Sequence, residues 1–287
     1  MVDTISNSRL ATLDRCPRKE YWRYRRKIEP IVERVPLTFG RLFHQACKAY
    51  YDQGRSVDAA HATWDTEATA LPPDELRNTA KAYELLTAYD QQFRDEEWTD
   101  IAGETKFAIE LQLADDLPPV VYRGIIDRVG TIGDGKLTFQ EWKTTAAPWN
   151  FLPNPNHQLT GYAFAMTQLF GEPVLQARVT LFGMFKGSKD GRRKHKDGTS
   201  SSVLTRMLVL RTANELEDWR RSVASKVRVM NMYEDQDFWP GNDSCNMYGK
   251  CDYAELCGSP PEVQAYLIDT AYRPIKEQEW EVTDEVS

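Results

Sequence analysis

The sequence lacks the features that mark a membrane or an exported protein. No apolar run approaches the roughly 18 residues that a membrane-spanning helix needs. The start, MVDTISNSRL, has neither a basic leader nor an apolar core, so it predicts no signal peptide. Internal repeats and low-complexity tracts are also missing. With 41% hydrophobic and 28% charged residues, the 287-residue chain is typical of a soluble globular protein, for which we expect a cytoplasmic location.

Cysteine is scarce and unevenly placed. Without an export signal, the five cysteines do not predict a disulfide framework. Three of them, Cys245, Cys251 and Cys257, crowd into the polar segment CNMYGKCDYAELC, which is typical of a loop around a metal centre. Cys16 is the candidate fourth ligand, and Cys47 is predicted to be a small buried apolar residue. Thiolates bind either Zn²⁺ or an iron–sulfur cluster, and spacing alone does not choose between them.

The formal charge of −7 argues against a general polyanion binder, but net charge is a sum that hides local patches. Residues 15–27, RCPRKEYWRYRRK, hold seven Lys or Arg against one acid, and residues 186–196, KGSKDGRRKHK, hold six against one. Either patch alone is commonly a solvated helix face or a loop. Beside a phosphoryl-transfer site they become candidate DNA contacts through charge and stacking. The candidates are Tyr21, Trp22, Tyr24, Arg25, Arg192, Arg193 and Lys194.

Hydrophobic periodicity and breaker residues predict an α/β chain. Helical patterns, the first capped by Ser6 or Ser8, cover residues 6–22, 39–52, 58–69, 74–97, 158–170 and 213–234. Strand patterns cover residues 104–113, 120–132, 136–143, 174–185 and 203–210. A Gly-Asp-Gly turn makes neighbours of the second and third strands, and the last two strands form a long-looped hairpin. The middle of the chain therefore runs helix, three strands, helix, strand.

Three charged residues fall on this predicted β-ribbon. Alternation in FQEWKTT puts Glu141 and Lys143 on one face of a strand, and Asp127 lies on the neighbouring strand. Carboxylates supply the hard oxygen ligands that Mg²⁺ or Mn²⁺ takes, and an ammonium can position water and offset charge on a phosphorane. The alternative is a cross-strand salt bridge on a solvated face, which contributes little stability. The apolar run before Asp127 favours partly buried strands, and so a site for phosphodiester hydrolysis.

Several motifs occur in order between about residues 6 and 258. They are SNSRLATLDRCPRKEYW, FGRLFHQ with Gly40 and His44, RGIIDRV with Asp127, the triplet Glu141-Trp142-Lys143, and HQLTGYAF with Gln158 and Tyr162. The series resembles the PD-(D/E)XK nucleases, and within them the RecB-like branch that includes AddB and the CRISPR-associated exonucleases. This resemblance implies a restriction-endonuclease-like α/β core with a mixed central sheet flanked by helices. Helical N-terminal and Cys-rich C-terminal segments are expected around that core.

The resemblance implies which residues bind the catalytic metal. Asp127 and Glu141 are the expected ligands of Mg²⁺ or Mn²⁺, with the Trp142 backbone carbonyl as a third ligand. His44 is a further expected ligand, and Lys143 is the expected catalytic lysine. Without the resemblance, His44 is better explained as an ordinary histidine on an amphipathic helix.

The remaining matches concern the substrate and the edge of the site. Gln158 and Tyr162 are expected to bind the DNA phosphate or to brace the catalytic lysine, although a packed aromatic is an equal explanation of the tyrosine. The upstream glutamate of the family corresponds to Glu104, with Glu110 close enough to compete for that role.

The four dispersed cysteines fit the same branch, which pairs one early Cys-Pro with three late cysteines around a [4Fe–4S] cluster. The resemblance therefore assigns Cys16, Cys245, Cys251 and Cys257 to such a cluster, with zinc as the alternative. The first late gap is five residues where two is usual in the family, so the metal identity stays open. We expect the cluster to be structural and to clasp the N-terminal helix to the C-terminal loop.

Together these patterns predict a metal-dependent DNA exonuclease, with or without endonuclease activity, that hydrolyses single strands or duplex ends in phage or bacterial recombination, repair or CRISPR adaptation. The chain has no Walker loop, so unwinding requires a partner such as a helicase; a recombinase or a CRISPR adaptation protein are other candidate partners. The alternative is a non-catalytic DNA-binding or assembly subunit with the same fold. We expect one nuclease domain over residues 1–260, made of helices at 6–70, a core at about 74–186 and the clasp loop at 235–260, followed by an acidic tail at 261–287.

Overall fold

The structure, a computed structural model, describes residues 3–133, 135–185, 192–194, 200–247 and 249–276. For residues 70, 192–194 and 200–202 it describes the backbone alone. Within these ranges no helix combines the length and the apolar character needed to cross a bilayer. The described residues form two compact units. The terminal unit is drawn from Met1–Glu33, Phe107–Gly124 and Ala213–Ser287, and the central unit from Arg34–Lys106 and Ile125–Thr212.

Four of the helices begin at polar caps, and Ser6 caps the first of them, as one of the two predicted candidates. Side-chain oxygens of Ser6, Ser56, Asn78 and Asn156 accept backbone amides in the first turns of these helices. A π-helical turn also covers Tyr21–Arg25. In chain order the helices are α1 (Asn7–Arg15), α2 (Pro17–Glu20), α3 (Val35–Asp52), α4 (Val57–Glu67), α5 (Thr79–Phe93), α6 (His157–Phe170), α7 (Ala213–Asp235), α8 (Ala254–Gly258) and α9 (Pro261–Ala271).

The two longest of the described strands lie at the centre of the main sheet. In chain order they are β1 (Thr4–Ile5), β2 (Ile28–Pro30), β3 (Trp98–Ala102), β4 (Thr105–Leu111), β5 (Val120–Ile126), β6 (Arg128–Ile132), β7 (Leu137–Thr145), β8 (Gln176–Gly183), β9 (Arg192–Lys194), β10 (Ser200–Ser202), β11 (Leu204–Leu210) and β12 (Tyr272–Pro274).

The central unit contains a five-stranded sheet in the order β11-β8-β7-β6-β3. Strands β7 and β8 are parallel and the other neighbours are antiparallel, so the sheet is mixed. Helix α6 connects β7 to β8, as a parallel pair requires a crossover. Every residue of β8 is buried. The predicted α/β fold with a mixed central sheet and flanking helices is confirmed, as is the hairpin of β8 and β11.

Helices α3, α4 and α5 pack on one face of this sheet around an aromatic core. The rings of Phe43 and Phe182 meet edge to face with centroids 4.7 Å apart, and Trp64 is fully buried between helices. Helix α3 comes close to the end of β7, because a Cβ added at Gly40 would lie 3.4 Å from the Thr144 hydroxyl oxygen. One turn after Gly40, α3 carries His44.

The terminal unit has two small sheets. In the first, β1 runs parallel to β5, which also pairs with β4. Tyr122 in β5 packs between Phe107 and Trp219, with centroid distances of 5.3 and 5.1 Å. In the second sheet β2 pairs with β12 beside a cluster that contains Trp22 and Tyr253. Residues 261–274, which the sequence placed in the tail, therefore form ordered elements of this unit.

Helix boundaries differ from expectation at two places. The helix predicted over 6–22 is broken at Cys16, whose φ of −164° is extended; Pro17 follows, and proline disfavours helical backbone in the residue before it. The helix predicted over 74–97 begins only at Thr79. The Asp74 carboxylate accepts the amides of Leu76 and Arg77, which holds a turn there instead.

Strand boundaries differ as well. The strand predicted over 120–132 is two strands, β5 and β6, interrupted at Asp127. The short strand β3 was not predicted, and it rather than β4 borders β6 in the central sheet. Gly130 makes that contact close, since a Cβ there would lie 2.4 Å from the Thr99 carbonyl oxygen. Whether residues 1–260 act as one domain stays a prediction.

Candidate active site

The predicted carboxylates and lysine meet at the end of the β6–β7 hairpin that lies opposite its turn, where β6 begins. These strands are antiparallel, with Arg128 opposite Gln140. Asp127 immediately precedes β6, and in β7 the side chains of Glu141 and Lys143 point away from those of Gln140 and Trp142. We call the side of β7 that bears Glu141 and Lys143 its catalytic face.

Asp127 joins β7 to α3. Its Oδ2 accepts the backbone amide of Trp142 at 2.7 Å, and its Oδ1 lies 3.0 Å from Nδ1 of His44. The side chain thus satisfies an amide that continued strand pairing would otherwise have satisfied, which explains why the ladder stops at this residue. Both Asp127 and His44 are held in place by these bonds.

Glu141, Lys143 and Gln158 form a closed ring of hydrogen bonds. The Lys143 ammonium donates to Glu141 Oε1 at 2.5 Å and to Gln158 Oε1 at 2.8 Å. The Gln158 amide nitrogen donates to Glu141 Oε1 at 2.8 Å and approaches the Tyr162 hydroxyl at 3.3 Å. Helix α6 therefore fixes the lysine against the buried carboxylate, and the tyrosine lies one turn further along.

Electrostatics distinguish the two acids. Burial raises the pKa of Glu141 above its ordinary value, even though Lys143 opposes the shift, and Asp127 raises the pKa further. Burial alone would lower the pKa of His44, but the Asp127 carboxylate outweighs it and the pKa is raised. The carboxylates of Asp127 and Glu141 thus favour positive charge on the neighbouring imidazole.

One oxygen in this site lacks a partner. Glu141 is 3% exposed, and among the described residues its Oε2 has no hydrogen-bond partner. As the side chains stand, no three His, Cys, Asp or Glu residues in the described ranges converge to hold a metal ion. The donor set is nevertheless that of a hard divalent cation: two carboxylates, one with a free buried oxygen, and a neighbouring imidazole. The residues fit Mg²⁺ or Mn²⁺.

A family model for the PD-(D/E)XK nuclease superfamily matches residues 4–258. The chain belongs to this superfamily. Nucleases of this superfamily generally use divalent metals such as Mg²⁺, which agrees with the donor set of the site. No curated protein matches the chain.

One solved structure shares the fold of this chain. A crystal structure named "Putative exonuclease" from Eubacterium rectale is 10% identical, with a TM-score of 0.50 and 92% of both chains covered. At that identity the likeness concerns the fold alone. A second structure, named SSO0001, is 11% identical with a TM-score of 0.34, and the match covers 79% of this chain and 88% of that one.

Glu104 and Glu110, the two candidates for the upstream glutamate of the family, take no part in the contacts described above. Glu104 is exposed in the bend before β4 and Glu110 is exposed on β4. The Trp142 carbonyl belongs to the strand paired with β8, and its role as a ligand stays a prediction.

The opposite side of β7 carries a buried polar network that the sequence did not reveal. The indole nitrogen of Trp142 donates to the Tyr89 hydroxyl at 3.3 Å, and Arg206 donates to the same oxygen at 2.8 Å. The Tyr51 hydroxyl lies 2.7 Å from that of Tyr89. We call this the Tyr89 network, and its further members are Glu96, Gln140 and Arg178. One hint of this network was present in the sequence, the polar residue Gln140 in β7.

In the terminal unit, chain segments near the cysteines contact each other on both sides of Cys16. The Arg15 carbonyl accepts bonds from Asn242 at 2.8 Å and Ser244 at 2.9 Å, and the Arg18 amide donates to the Pro240 carbonyl at 3.0 Å. The Cys251 amide donates to the Cys245 carbonyl at 2.7 Å. Burial raises the pKa of Cys245, and the nearby thiols of Cys251 and Cys16 add to the shift. The four thiols thus come from segments that are bonded together.

The predicted DNA contacts divide into three groups. Trp22 is 3% exposed, and its indole nitrogen donates to Cys257 Sγ at 3.2 Å, so the expectation of an exposed stacking ring is wrong for this residue. Tyr21, Tyr24 and Arg25 are partly exposed. The side chains of Arg192, Arg193 and Lys194 lie outside what the structure describes; only their backbone is seen, in β9. Cys47 is buried in the core of the central unit, as predicted.

Proposed function

We propose that this protein is a Mg²⁺- or Mn²⁺-dependent deoxyribonuclease, and specifically an exonuclease that hydrolyses single strands or duplex ends. The observation that carries this proposal is the buried, unpartnered Oε2 of Glu141 beside the Asp127 and His44 pair. A buried anionic oxygen without a donor costs about 1–3 kcal/mol, and a bound cation removes that cost. The superfamily supports phosphodiester hydrolysis as the reaction.

The residues on and around the catalytic face of β7 have separate parts in this reaction. Asp127, Glu141 and His44 would hold the divalent cation, which when bound polarises the phosphate and lowers the pKa of water. The Lys143 ammonium would orient the attacking water and offset charge on the phosphorane. Gln158 donates to Glu141 and accepts from Lys143, so it fixes the position of both groups. Tyr162, next to Gln158, is in position to contact a phosphate oxygen or to brace the glutamine.

The test is cleavage of end-labelled DNA with Mg²⁺, Mn²⁺ or EDTA. We expect degradation with either metal and none with EDTA, and Asp127→Asn should be inactive. Strands blocked at the 5′ end, the 3′ end or both distinguish exonuclease from endonuclease activity and give the polarity. Strand binding without cleavage under every metal condition would overturn the proposal and favour a non-catalytic DNA-binding or assembly subunit.

We also propose that Cys16, Cys245, Cys251 and Cys257 hold a structural [4Fe–4S] cluster, with Zn²⁺ as the alternative. Support comes from the donor chemistry and from the bonds that join the segments on either side of Cys16 to residues 240–244. The Trp22 indole donates to Cys257 Sγ, and a donor of this kind stabilises a thiolate. When bound, such a cluster supplies a covalent clasp between distant parts of the chain.

Metal content tests the clasp without any activity assay. Protein purified anaerobically should be brown and contain iron and sulfide, and Cys257→Ala should lose both. Cys47→Ala is the matched control, since Cys47 is buried in the core of the central unit and should leave the iron content unchanged. A colourless protein with stoichiometric zinc would establish the zinc alternative. A protein with neither iron nor zinc would contradict the proposal that the four cysteines hold a metal centre.

The biological setting follows from the enzyme class. A DNA exonuclease of this kind fits phage or bacterial recombination, repair or CRISPR adaptation in the cytoplasm. Its partners would be DNA and a helicase, a recombinase or an adaptation protein. Co-purification with a tagged chain from its native host would identify which of these it accompanies.

A further inference from the structure

A cationic cavity lies in the terminal unit. Its volume is about 370 Å³, within the range of small-ligand sites. The side chains of Arg9, Arg25, Lys27 and Arg123 line it, against a single carboxylate from Asp3. These four cations come from α1, from the π-helical turn and the residues after it, and from β5. Cations that converge on one concave space repel each other, so the arrangement favours an anion between them.

Arg9 is the buried member of this set. It is 6% exposed; its Nε donates to Glu20 at 2.7 Å and its Nη1 donates to the Thr4 carbonyl at 2.6 Å. Among the described residues, its Nη2 has no hydrogen-bond partner. A guanidinium has five donors, and a buried donor without an acceptor costs about 1–3 kcal/mol. The vacant donor is of the kind that a phosphate oxygen satisfies.

The backbone adds positive charge to the lining of the cavity. Helix α1 begins here: its cap, Ser6, lines the cavity and accepts the Arg9 amide at 3.2 Å. Helix N-termini carry partial positive charge and donate to phosphates. Arg9 pairs with Glu20 and Arg25 pairs with Glu234, and neither of these acids lines the cavity. The lining therefore keeps a positive excess.

Tyr24 gives the cavity an apolar side. Its ring lines the space, and the Arg9 guanidinium carbon lies 5.8 Å from the ring centroid. A positive wall beside an aromatic ring is the combination that binds a single strand through its backbone and a stacked base or sugar. The volume exceeds what a phosphate alone fills and leaves space for the adjoining sugar.

We propose that this cavity binds a backbone phosphate of a single nucleic-acid strand, with Arg9, Lys27 and Arg123 contacting the phosphate and Tyr24 contacting the adjoining sugar or base. The identity of the strand rests on the proposed nuclease function, whereas the binding of a phosphate group does not. The basic segment 15–27 thus contributes a shaped site through Tyr24, Arg25 and Lys27 rather than only a charged surface.

Binding of a labelled single strand, followed by fluorescence anisotropy at several salt concentrations in EDTA, tests the proposal. Without metal no cleavage occurs, so the result is independent of nuclease activity. Lys27→Gln and Arg123→Gln should each weaken binding several-fold and reduce the slope of log K against log salt by about 0.7, the value for one lost phosphate contact on a single strand. Arg228→Gln is the matched control: it removes a cation of the same unit that pairs with Asp116 at 2.5 Å and does not line the cavity.

Two results would overturn the proposal. The first is unchanged affinity and salt slope in both cavity variants, with circular dichroism showing that each is folded. The second comes from inorganic phosphate: if it raises the melting temperature of the wild type but not of Lys27→Gln, while strand binding stays equal, the cavity binds free phosphate and not a strand. If Arg123→Gln fails to fold because it lies in β5, Lys27→Gln decides alone.

Discussion

The two faces of strand β7 differ in how their buried polar atoms are satisfied. On the catalytic face, Glu141 leaves one buried oxygen without a partner among the described residues. On the opposite face, no polar atom of the Tyr89 network is left unpartnered in the same residues. Alternation along QEWK builds both faces from consecutive residues. On the proposed function, stability and chemistry belong to opposite sides of one strand.

The charged groups of the Tyr89 network are paired with one another. Glu96 accepts from Arg178 at 3.0 Å, from Tyr51 at 2.7 Å and from Arg206. Arg178 also donates to Gln140 at 2.7 Å. The partners of its charged groups offset part of the desolvation cost, although burial still lowers the pKa of Arg178, and the network can rigidify β7. The catalytic face keeps the opposite property, a buried carboxylate oxygen without a partner among the described residues, which a bound cation would satisfy; such unsatisfied groups are common at functional sites.

The largest expected effect comes from the charge of Asp127. Asp127→Asn keeps the shape of the side chain but removes a metal ligand, so cleavage of labelled single strands should fall at least about 10³-fold, equivalent to about 4 kcal/mol of activation free energy. Asp58→Asn, at an exposed acid in the first turn of α4, is the control and should keep full activity. Activity above a tenth of the wild-type rate in Asp127→Asn would break the assignment.

The next effect concerns the lysine on the same face. Lys143→Met removes the ammonium that we place beside the attacking water, and the turnover rate should fall about 10²-fold, near the lower end for a positioned catalytic group. Lys48→Met, on the exposed side of α3 where the lysine pairs with Asp52 at 3.6 Å, should cleave normally. Equal rates for the two variants would show that the lysine only stabilises Glu141.

On the network face the expected loss is in stability. Tyr89→Phe leaves the Trp142 indole and an Arg206 donor without their acceptor, so the free energy of unfolding should fall by about 2 kcal/mol in urea titrations. Tyr83→Phe, on the same helix with its hydroxyl bonded to Asp65 at the surface, should lose less than about 0.5 kcal/mol. If the Tyr89→Phe and Tyr83→Phe proteins were equally stable, the stabilising role of the network face of β7 would be contradicted.

The smallest expected change in the free energy of unfolding is a gain. Glu141→Gln should abolish cleavage and yet raise the free energy of unfolding of metal-free protein by about 1 kcal/mol, because a buried carboxylate with a raised pKa is replaced by a neutral amide. The native state of the wild type takes up a proton more readily than the unfolded state. The advantage of the variant is therefore full above the folded pKa, shrinks as the pH falls from there towards the ordinary glutamate pKa, and is absent below it. A loss of stability at every pH would contradict this account.

Local patterns in the sequence predicted the catalytic face, and long-range contacts account for what they missed. Period-two alternation places Glu141 and Lys143, and the short turn brings the next strand alongside. The break at Asp127 depends on a bond to Trp142, 15 residues away, which no local propensity encodes. The Tyr89 network joins residues up to 127 positions apart, since Arg178 donates to Tyr51. The interruption at Cys16 and the turn at Asp74 had local signals, the proline after Cys16 and the side chain of Asp74 itself.

Electron paramagnetic resonance of added Mn²⁺ tests the central claim most directly, because the signal of the free ion falls when the protein binds it. The account predicts that wild-type protein removes the signal in proportion to its concentration, and that Asp127→Asn and Glu141→Gln, both folded, leave it unchanged. A wild-type protein that binds no Mn²⁺, or variants that bind as tightly as the wild type, would contradict it.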